Sequence, residues 1–208
     1  MNTKLTRMVG YVVAHRDLEE EMRSGAYGEF YSYVLAGNGL FIQTANQYLV
    51  GAIPIAPAPV RGLKQKAAEC RMLAPRIPAH LLDLAVSIMS VDPTRERYVA
   101  IVWRDRDWRL VMPEQETDQA SVTYHRVPDA VVELHSHGQG PAFFSATDNA
   151  DEQRFGIFGV VGNLHCPSPP TLSLRLGIYG YFMSVSLDDV FDGTPTNLDV
   201  LPAHRPEV

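Results

Sequence analysis

The chain has 208 residues, 46% of them hydrophobic, which is enough to bury a core in one domain with a small appendage. Its net charge of −6 argues against a protein that coats nucleic acid, because such proteins present a basic face. Two cysteines indicate a reducing compartment, and no apolar run approaches the roughly 20 residues of a membrane span. The first residues contain an apolar stretch too short for a signal peptide, so we expect a cytoplasmic protein without membrane or nucleic-acid partners.

Residues 1–70 are predicted to form a small β-rich subdomain, for which the sequence indicates no role. Strand-like runs occupy 31–36, 40–44 and 48–54, and the turn sequence Gly-Asn-Gly at 37–39 is a strong hairpin signal. Three prolines lie at the end of the last run and just after it, and we expect them to end the regular structure and mark a connection to residues 61–63. They are Pro54, Pro57 and Pro59.

Residues 71–208 mix helices with strands. A helix that is apolar nearly all round is predicted at 78–90, with a proline suited to its first turn. The elements after it are predicted as strands 97–103, 108–112, 121–125 and 130–137, helix 146–154, strand 155–161, and strand 171–185 with a break at Gly177 or Gly180. Helices mixed with strands and one tight hairpin indicate an α/β fold with a layered mixed sheet, not a doubly wound parallel one.

Two histidines at the end of the predicted strand 130–137 are the most informative feature of the chain. His135 and His137 share one face, about 6.5–7 Å apart, because side chains alternate along a strand. After a turn, Ser145 and Asp148 are three residues apart in the first turn of the next helix, and so they also share a face. Two imidazoles and one carboxylate leave a fourth tetrahedral position open, as in catalytic zinc sites.

These residues also have purely structural interpretations. Asp148 fits a first-turn acid favoured by the helix dipole, and Asp151, three residues later, is an alternative ligand. Ser145 fits a helix N-cap, a role that is compatible with a second one in catalysis. Four other histidines are expected to be structural: His15, His80, His125 and His204.

The spacing His-x-His, seven residues, Ser-x-x-Asp resembles the JAMM signature of the JAB/MPN metalloprotease family. The longer run from His135 to Glu152 is similar to the branch called PRTRC system protein A, from a plasmid-associated cassette that also encodes a ThiF-related and a ubiquitin-like protein. The resemblance implies a JAB/MPN domain at 71–208. Its mixed sheet would be flanked by helices, in an architecture related to cytidine deaminases, and residues 1–70 would extend it.

The family also requires a glutamate at the start of a strand that follows a long apolar helix. That position falls on Glu96, and the resemblance implies that Glu96 is the general base and acid. Glu133 is an alternative because it shares a face with both histidines, while Glu114 and Glu116 follow another strand. An exposed charge between two arginines is the structural alternative for Glu96.

The resemblance implies zinc-dependent hydrolysis of an amide or isopeptide bond, with His135, His137 and Asp148 as ligands. Ser145 is expected to donate a hydrogen bond to the oxyanion of the reaction. The implied partners are a ubiquitin-like protein or its conjugates and a ThiF-related protein, and the family also admits a homodimer. The alternative is a non-catalytic MPN scaffold, against which the intact ligand set argues. A zinc deaminase would need His-x-Glu and a later Pro-Cys-x-x-Cys, and the chain has neither.

Overall fold

The structure is a computed structural model that describes residues 8–15, 27–117, 122–124, 126–165 and 167–204. Within these residues the chain is a mixed α/β protein with mostly strands and few helices, as the sequence predicts. The ends of the predicted strand 121–125, including His125, lie outside the described residues. None of the helices in the described part combines the length and apolar character needed to span a membrane.

The first sheet follows the predicted hairpin and adds a strand on each side of the predicted three. Its spatial order is the chain order, β1-β2-β3-β4-β5, with β1 parallel to β2 and the other pairs antiparallel. The strands are β1 Val9–Val13, β2 Tyr31–Ala36, β3 Gly39–Ala45, β4 Leu49–Pro57 and β5 Glu69–Met72.

One expectation for this sheet was wrong, because β4 continues through Pro54 to Pro57. β5 pairs with β4 only over Leu49–Ala52, so Pro54 lies beyond that ladder. On the other side, the β3–β4 register shifts between Leu40 and Phe41. A bulge next to a free edge tolerates the missing N–H of proline, and the strand is therefore not interrupted there.

The second sheet carries the candidate site and has the order β14-β13-β12-β11-β7-β8, with β16 also paired to β13. β11 is antiparallel to β7 and parallel to β12, so the sheet is mixed as expected. Its strands are β7 Tyr98–Arg104, β8 Asp107–Val111, β11 Ala130–Ser136, β12 Gly156–Gly162, β13 Thr171–Ile178, β14 Tyr181–Ser184 and β16 Asp199–Val200. Two small pairs complete the strands: β6 Ile77–Pro78 with β15 Phe191–Asp192, and β9 Gln115–Thr117 with β10 Val122–Tyr124.

Both predicted helices are shorter than the sequence predicts, and a third, short helix was not predicted. They are α1 His80–Met89, α2 Ala146–Asp151 and α3 Leu187–Val190. α1 buries Leu81, Leu82, Ala85 and Met89, whereas every residue of α2 is at least partly exposed. α2 ends three residues before the predicted end because Glu152 leaves the helical backbone conformation and is itself buried.

The predicted strand 171–185 is divided into β13 and β14 at Gly180. Tyr179 and Gly180 both have positive φ, 46° and 89°, and form a turn at that point. Gly177, the other predicted break, lies inside β13, where an added Cβ would be 2.6 Å from the Phe158 ring. Close packing between strands therefore explains the glycine at 177, and turn geometry explains the glycine at 180.

The two sheets share one hydrophobic core. Ile42 and Leu49 of the first sheet belong to the same buried cluster as Leu134 and Leu176 of the second. At the contact, Gly51 leaves room for the Phe155 ring, which would be 2.9 Å from an added Cβ. The division of the chain at residue 70 stays a prediction.

Candidate functional site

The two histidines project from the end of a strand in the middle of the second sheet. His135 is paired with Tyr98 of β7 on one side and with Val160 of β12 on the other. The His137 N–H donates to the Val161 carbonyl, which extends the β11–β12 contact just past β11. Their side chains are 13% and 12% exposed, so both imidazoles lie in a partly enclosed position.

The segment after β11 returns the chain to the histidines. Gly138 has a φ of 53°, and Gly140 donates its N–H to the His137 carbonyl, which closes a tight turn. α2 then begins with Ser145 as N-cap. The Ser145 hydroxyl accepts the Asp148 N–H at 3.1 Å, and the Asp148 carboxylate accepts the Ser145 N–H at 2.6 Å. This reciprocal capping box holds the Asp148 side chain at the helix start.

Three predicted ligands converge in the structure. His135 Nε2 lies 3.3 Å from His137 Nε2 and 3.2 Å from Asp148 Oδ1, while His137 Nε2 lies 3.7 Å from Asp148 Oδ2. One ligand atom from each residue lies within 4.8 Å of the others, an arrangement that could hold a metal ion. Asp151, the alternative ligand, is exposed at the end of α2 and is outside this group.

The negative Asp148 and the two histidines of this group complement one another electrostatically. Burial raises the pKa of Asp148, but hydrogen bonds from His135 and His137 outweigh this effect, and the pKa lies well below its usual range. Burial lowers the pKa of His137, but the Asp148 hydrogen bond and charge raise it overall. The carboxylate is therefore ionised and directed at both imidazoles.

Glu96 lies near the same group, in the loop before β7. The Arg97 N–H donates to Ser136 Oγ at 3.0 Å, and the Ser136 N–H donates to the Arg97 carbonyl at 2.9 Å. This double contact fixes the backbone next to Glu96 against the strand end between the two histidines. Burial raises the pKa of the Glu96 carboxyl, while the charges of His137 and His135 oppose the rise, which indicates that all three are near one another.

Glu133, the alternative base, belongs to a different network. It is 5% exposed; the Tyr98 hydroxyl donates to its Oε2 at 2.5 Å, and Arg154 Nε donates to its Oε1 at 2.5 Å. Both carboxylate oxygens are thus engaged one strand repeat away from His135. Glu114 lies exposed after β8, and the Glu116 side chain lies outside the described part.

Two charged residues beside the predicted ligands were not predicted from the sequence. Glu152 follows α2, and Arg175 lies in β13; both are buried and they form an ion pair. Burial raises the pKa of Glu152, and the charge and hydrogen bonds of Arg175 oppose the rise and favour the ionised form. A signal was present, because an arginine inside the otherwise apolar run of β13 calls for a buried partner.

One comparison identifies a related family. Residues 78–177 match the family model described as prokaryotic homologs of the JAB domain, and no curated protein matched the chain. The match supports the JAB/MPN family for this segment, which includes α1, Glu96, both histidines and α2. A JAB domain with a group that could hold a metal is consistent with a metal-dependent hydrolase or with a scaffold.

Proposed function

We propose that this protein is a zinc-dependent peptidase that hydrolyses an amide or isopeptide bond at the C-terminus of a ubiquitin-like protein. The observation that carries the proposal is the convergence of His135, His137 and Asp148 within a JAB-type segment. The plasmid-associated PRTRC system, with its ubiquitin-like and ThiF-related proteins, is the proposed setting.

The donor set fits zinc. In a tetrahedral site with Zn–N bonds of about 2.0–2.1 Å, two nitrogen ligands are about 3.3 Å apart. The two Nε2 atoms are 3.3 Å apart, and the nearest Asp148 oxygen is 3.2 Å from His135 Nε2. Two histidines and one carboxylate leave one tetrahedral position open, which is the pattern of catalytic rather than structural zinc sites.

When bound, zinc supplies a Lewis acid for a carbonyl group and lowers the pKa of water to about 7. Glu96 accepts the proton of the attacking water and passes it to the departing amine. Its raised pKa suits both steps, because a carboxylate of higher pKa is a stronger base and still releases its proton.

Ser145 serves both the helix and the reaction. Its oxygen accepts the Asp148 N–H, and its hydroxyl hydrogen can still be donated. We assign that hydrogen to the oxyanion that develops on the substrate carbonyl. The serine is not a nucleophile, since each imidazole Nε2 faces Asp148.

The test is cleavage of the system's ubiquitin-like protein fused through its C-terminus to a fluorescent reporter. We expect the zinc-loaded protein to release the reporter at the fusion junction, and a chelator such as 1,10-phenanthroline to abolish release until zinc is restored. Asp151→Asn provides a matched control, because it removes an exposed acid next to the site and should leave release unchanged.

Two outcomes would contradict the proposal. Release that persists with a chelator, after metal analysis shows that zinc is absent, would exclude the zinc mechanism. A protein that holds about one zinc per chain and yet cleaves neither the linear fusion nor an isopeptide-linked conjugate would be a scaffold.

A further inference from the structure

We infer that Glu152, held by Arg175, is a positioning residue that sets the tautomer and orientation of His135 for metal binding. This inference rests on the proposed function only in that His135 is a metal ligand. It concerns two residues that lie outside the His-x-His…Ser-x-x-Asp pattern.

The ion pair holds Glu152 by one oxygen. Arg175 donates from Nε at 2.9 Å and from NH2 at 2.6 Å, both to Glu152 Oε2. The side chains are 7% and 9% exposed, so water competes weakly for these bonds. Arg175 NH1 also donates to Asn149 Oδ1 of α2 at 2.6 Å, which joins β13 to the helix that carries Asp148.

Aromatic rings fix the arginine from two sides. The guanidinium carbon lies 3.7 Å from the ring centroid of Phe144 and 3.7 Å from that of Phe182. A cation stacked against aromatic rings in a buried position is strongly held. Arg175 therefore provides a rigid support for Glu152 rather than a mobile surface charge.

The other oxygen of Glu152 faces the metal-ligating histidine. Glu152 Oε1 lies 3.9 Å from His135 Nδ1, on the side of the ring opposite the ligand atom Nε2. This distance is too long for a hydrogen bond, so the Glu152 carboxylate acts on the His135 ring through its charge, which is held in a fixed orientation. An imidazole that ligates through Nε2 must carry its proton on Nδ1, and a carboxylate beside Nδ1 favours that tautomer.

Packing alone does not explain this pair. A buried ion pair is commonly no more stabilising than hydrophobic residues of the same volume. Here it lies beside a proposed ligand, and carboxylates that orient metal-bound histidines from behind are a general feature of metal sites. The geometry therefore assigns the pair to His135 rather than to the core.

Glu152→Gln tests the assignment without changing side-chain size. Arg175 retains the amide oxygen, so the amide NH2 faces His135 Nδ1 and favours the wrong tautomer. In the zinc-loaded protein, where Nε2 is a ligand and Nδ1 carries the proton, ¹H–¹⁵N NMR should show the His135 Nδ1 proton exchanging with water faster in the variant than in the wild type. Zinc affinity, measured by competition with a chelating indicator, should fall about 10- to 100-fold.

Two further variants make the result interpretable. Asp151→Asn removes a neighbouring exposed charge and should leave zinc affinity within about twofold. If Glu152→Gln does not fold, replacing both Glu152 and Arg175 with methionine removes the pair without leaving a lone buried charge, and the same loss of affinity is expected.

The inference is overturned if the His135 Nδ1 proton exchanges equally fast in the zinc-loaded wild type and variant, or if zinc affinity is unchanged in a folded variant that lacks the Glu152 carboxylate. Neither readout depends on hydrolysis. A wild type that binds zinc tightly, and loses that affinity in Glu152→Gln, but cleaves no fusion would refute the proposed function and leave the role of Glu152 intact.

Discussion

Glu96 is partly buried and Glu133 is buried, and the two lie in neighbouring segments. Their surroundings give them different roles. Glu133 is neutralised by Arg154 and receives a hydrogen bond from Tyr98. Glu96 lacks such an ion pair among the described residues, is near both histidines, and has a pKa raised by burial. A carboxylate in the surroundings of Glu96 can exchange protons during turnover, whereas one in the surroundings of Glu133 stabilises the fold.

Replacing each glutamate with glutamine should separate the two roles. Glu96→Gln should lower kcat by about 100- to 10,000-fold, because a proton acceptor is lost, while zinc content and stability stay unchanged. Glu133→Gln should retain most activity but lower the free energy of unfolding by about 2 kcal/mol, because charge-assisted bonds to Arg154 are weakened. Reporter release and urea denaturation measure the two effects. Loss of turnover in Glu133→Gln alone would make Glu133 the base.

At the scale of elements, two loops must meet for the site to form. Gly138, in the turn after β11, lies against the loop that leads to Glu96, and an added Cβ there would be 2.5 Å from the Pro93 carbonyl oxygen. Gly138 also has a φ of 53°, which disfavours other residues. The position of Glu96 therefore depends on a glycine in a different segment.

Gly138→Ala should displace the loop that carries Glu96 and lower kcat about 100-fold, since misplacement of about 1 Å has effects of this size. Stability should fall by about 1–2 kcal/mol from the left-handed backbone. Gly62→Ala is the matched control, because Gly62 has a φ of 91° but nothing within 4 Å of an added Cβ. If Gly138→Ala and Gly62→Ala lose kcat in the same proportion to their loss of stability, the proposed link between Gly138 and the position of Glu96 is wrong.

At the scale of the whole molecule, the shared core couples the two sheets. Ile42, Leu49 and Ile53 of the first sheet lie in the cluster that contains Leu134, next to His135. The first sheet therefore supports the layer from which the proposed ligands project. The first sheet therefore resembles one side of a shared core rather than an independently folded attachment.

Deletion of residues 1–70 should consequently prevent stable folding of the rest. The remaining chain would expose apolar surface of β13 and β14 that now packs on the first sheet. We expect aggregation, or thermal unfolding without a cooperative transition, in circular dichroism. A fragment 71–208 that unfolds cooperatively and binds zinc like the full chain would establish it as an independent domain.

The sequence alone predicted the features that local geometry controls. Alternation along a strand placed His135 and His137 on one face, and the helix start placed Ser145 near Asp148, because both periodicities act over a few residues. The mixed sheet, and a break at either Gly177 or Gly180, were predicted for the same reason, from local turn and strand signals, and packing decided for Gly180.

Tertiary structure decided which distant residues meet at those side chains. Pairing of β11 with β7 engages Glu133 with Tyr98, and the fold of β13 against α2 gives Glu152 its arginine. These contacts join residues 23 or 35 positions apart, and neither spacing follows from helix or strand periodicity. Local patterns therefore identify the atoms that could bind a metal, while long-range packing determines what orients and charges them.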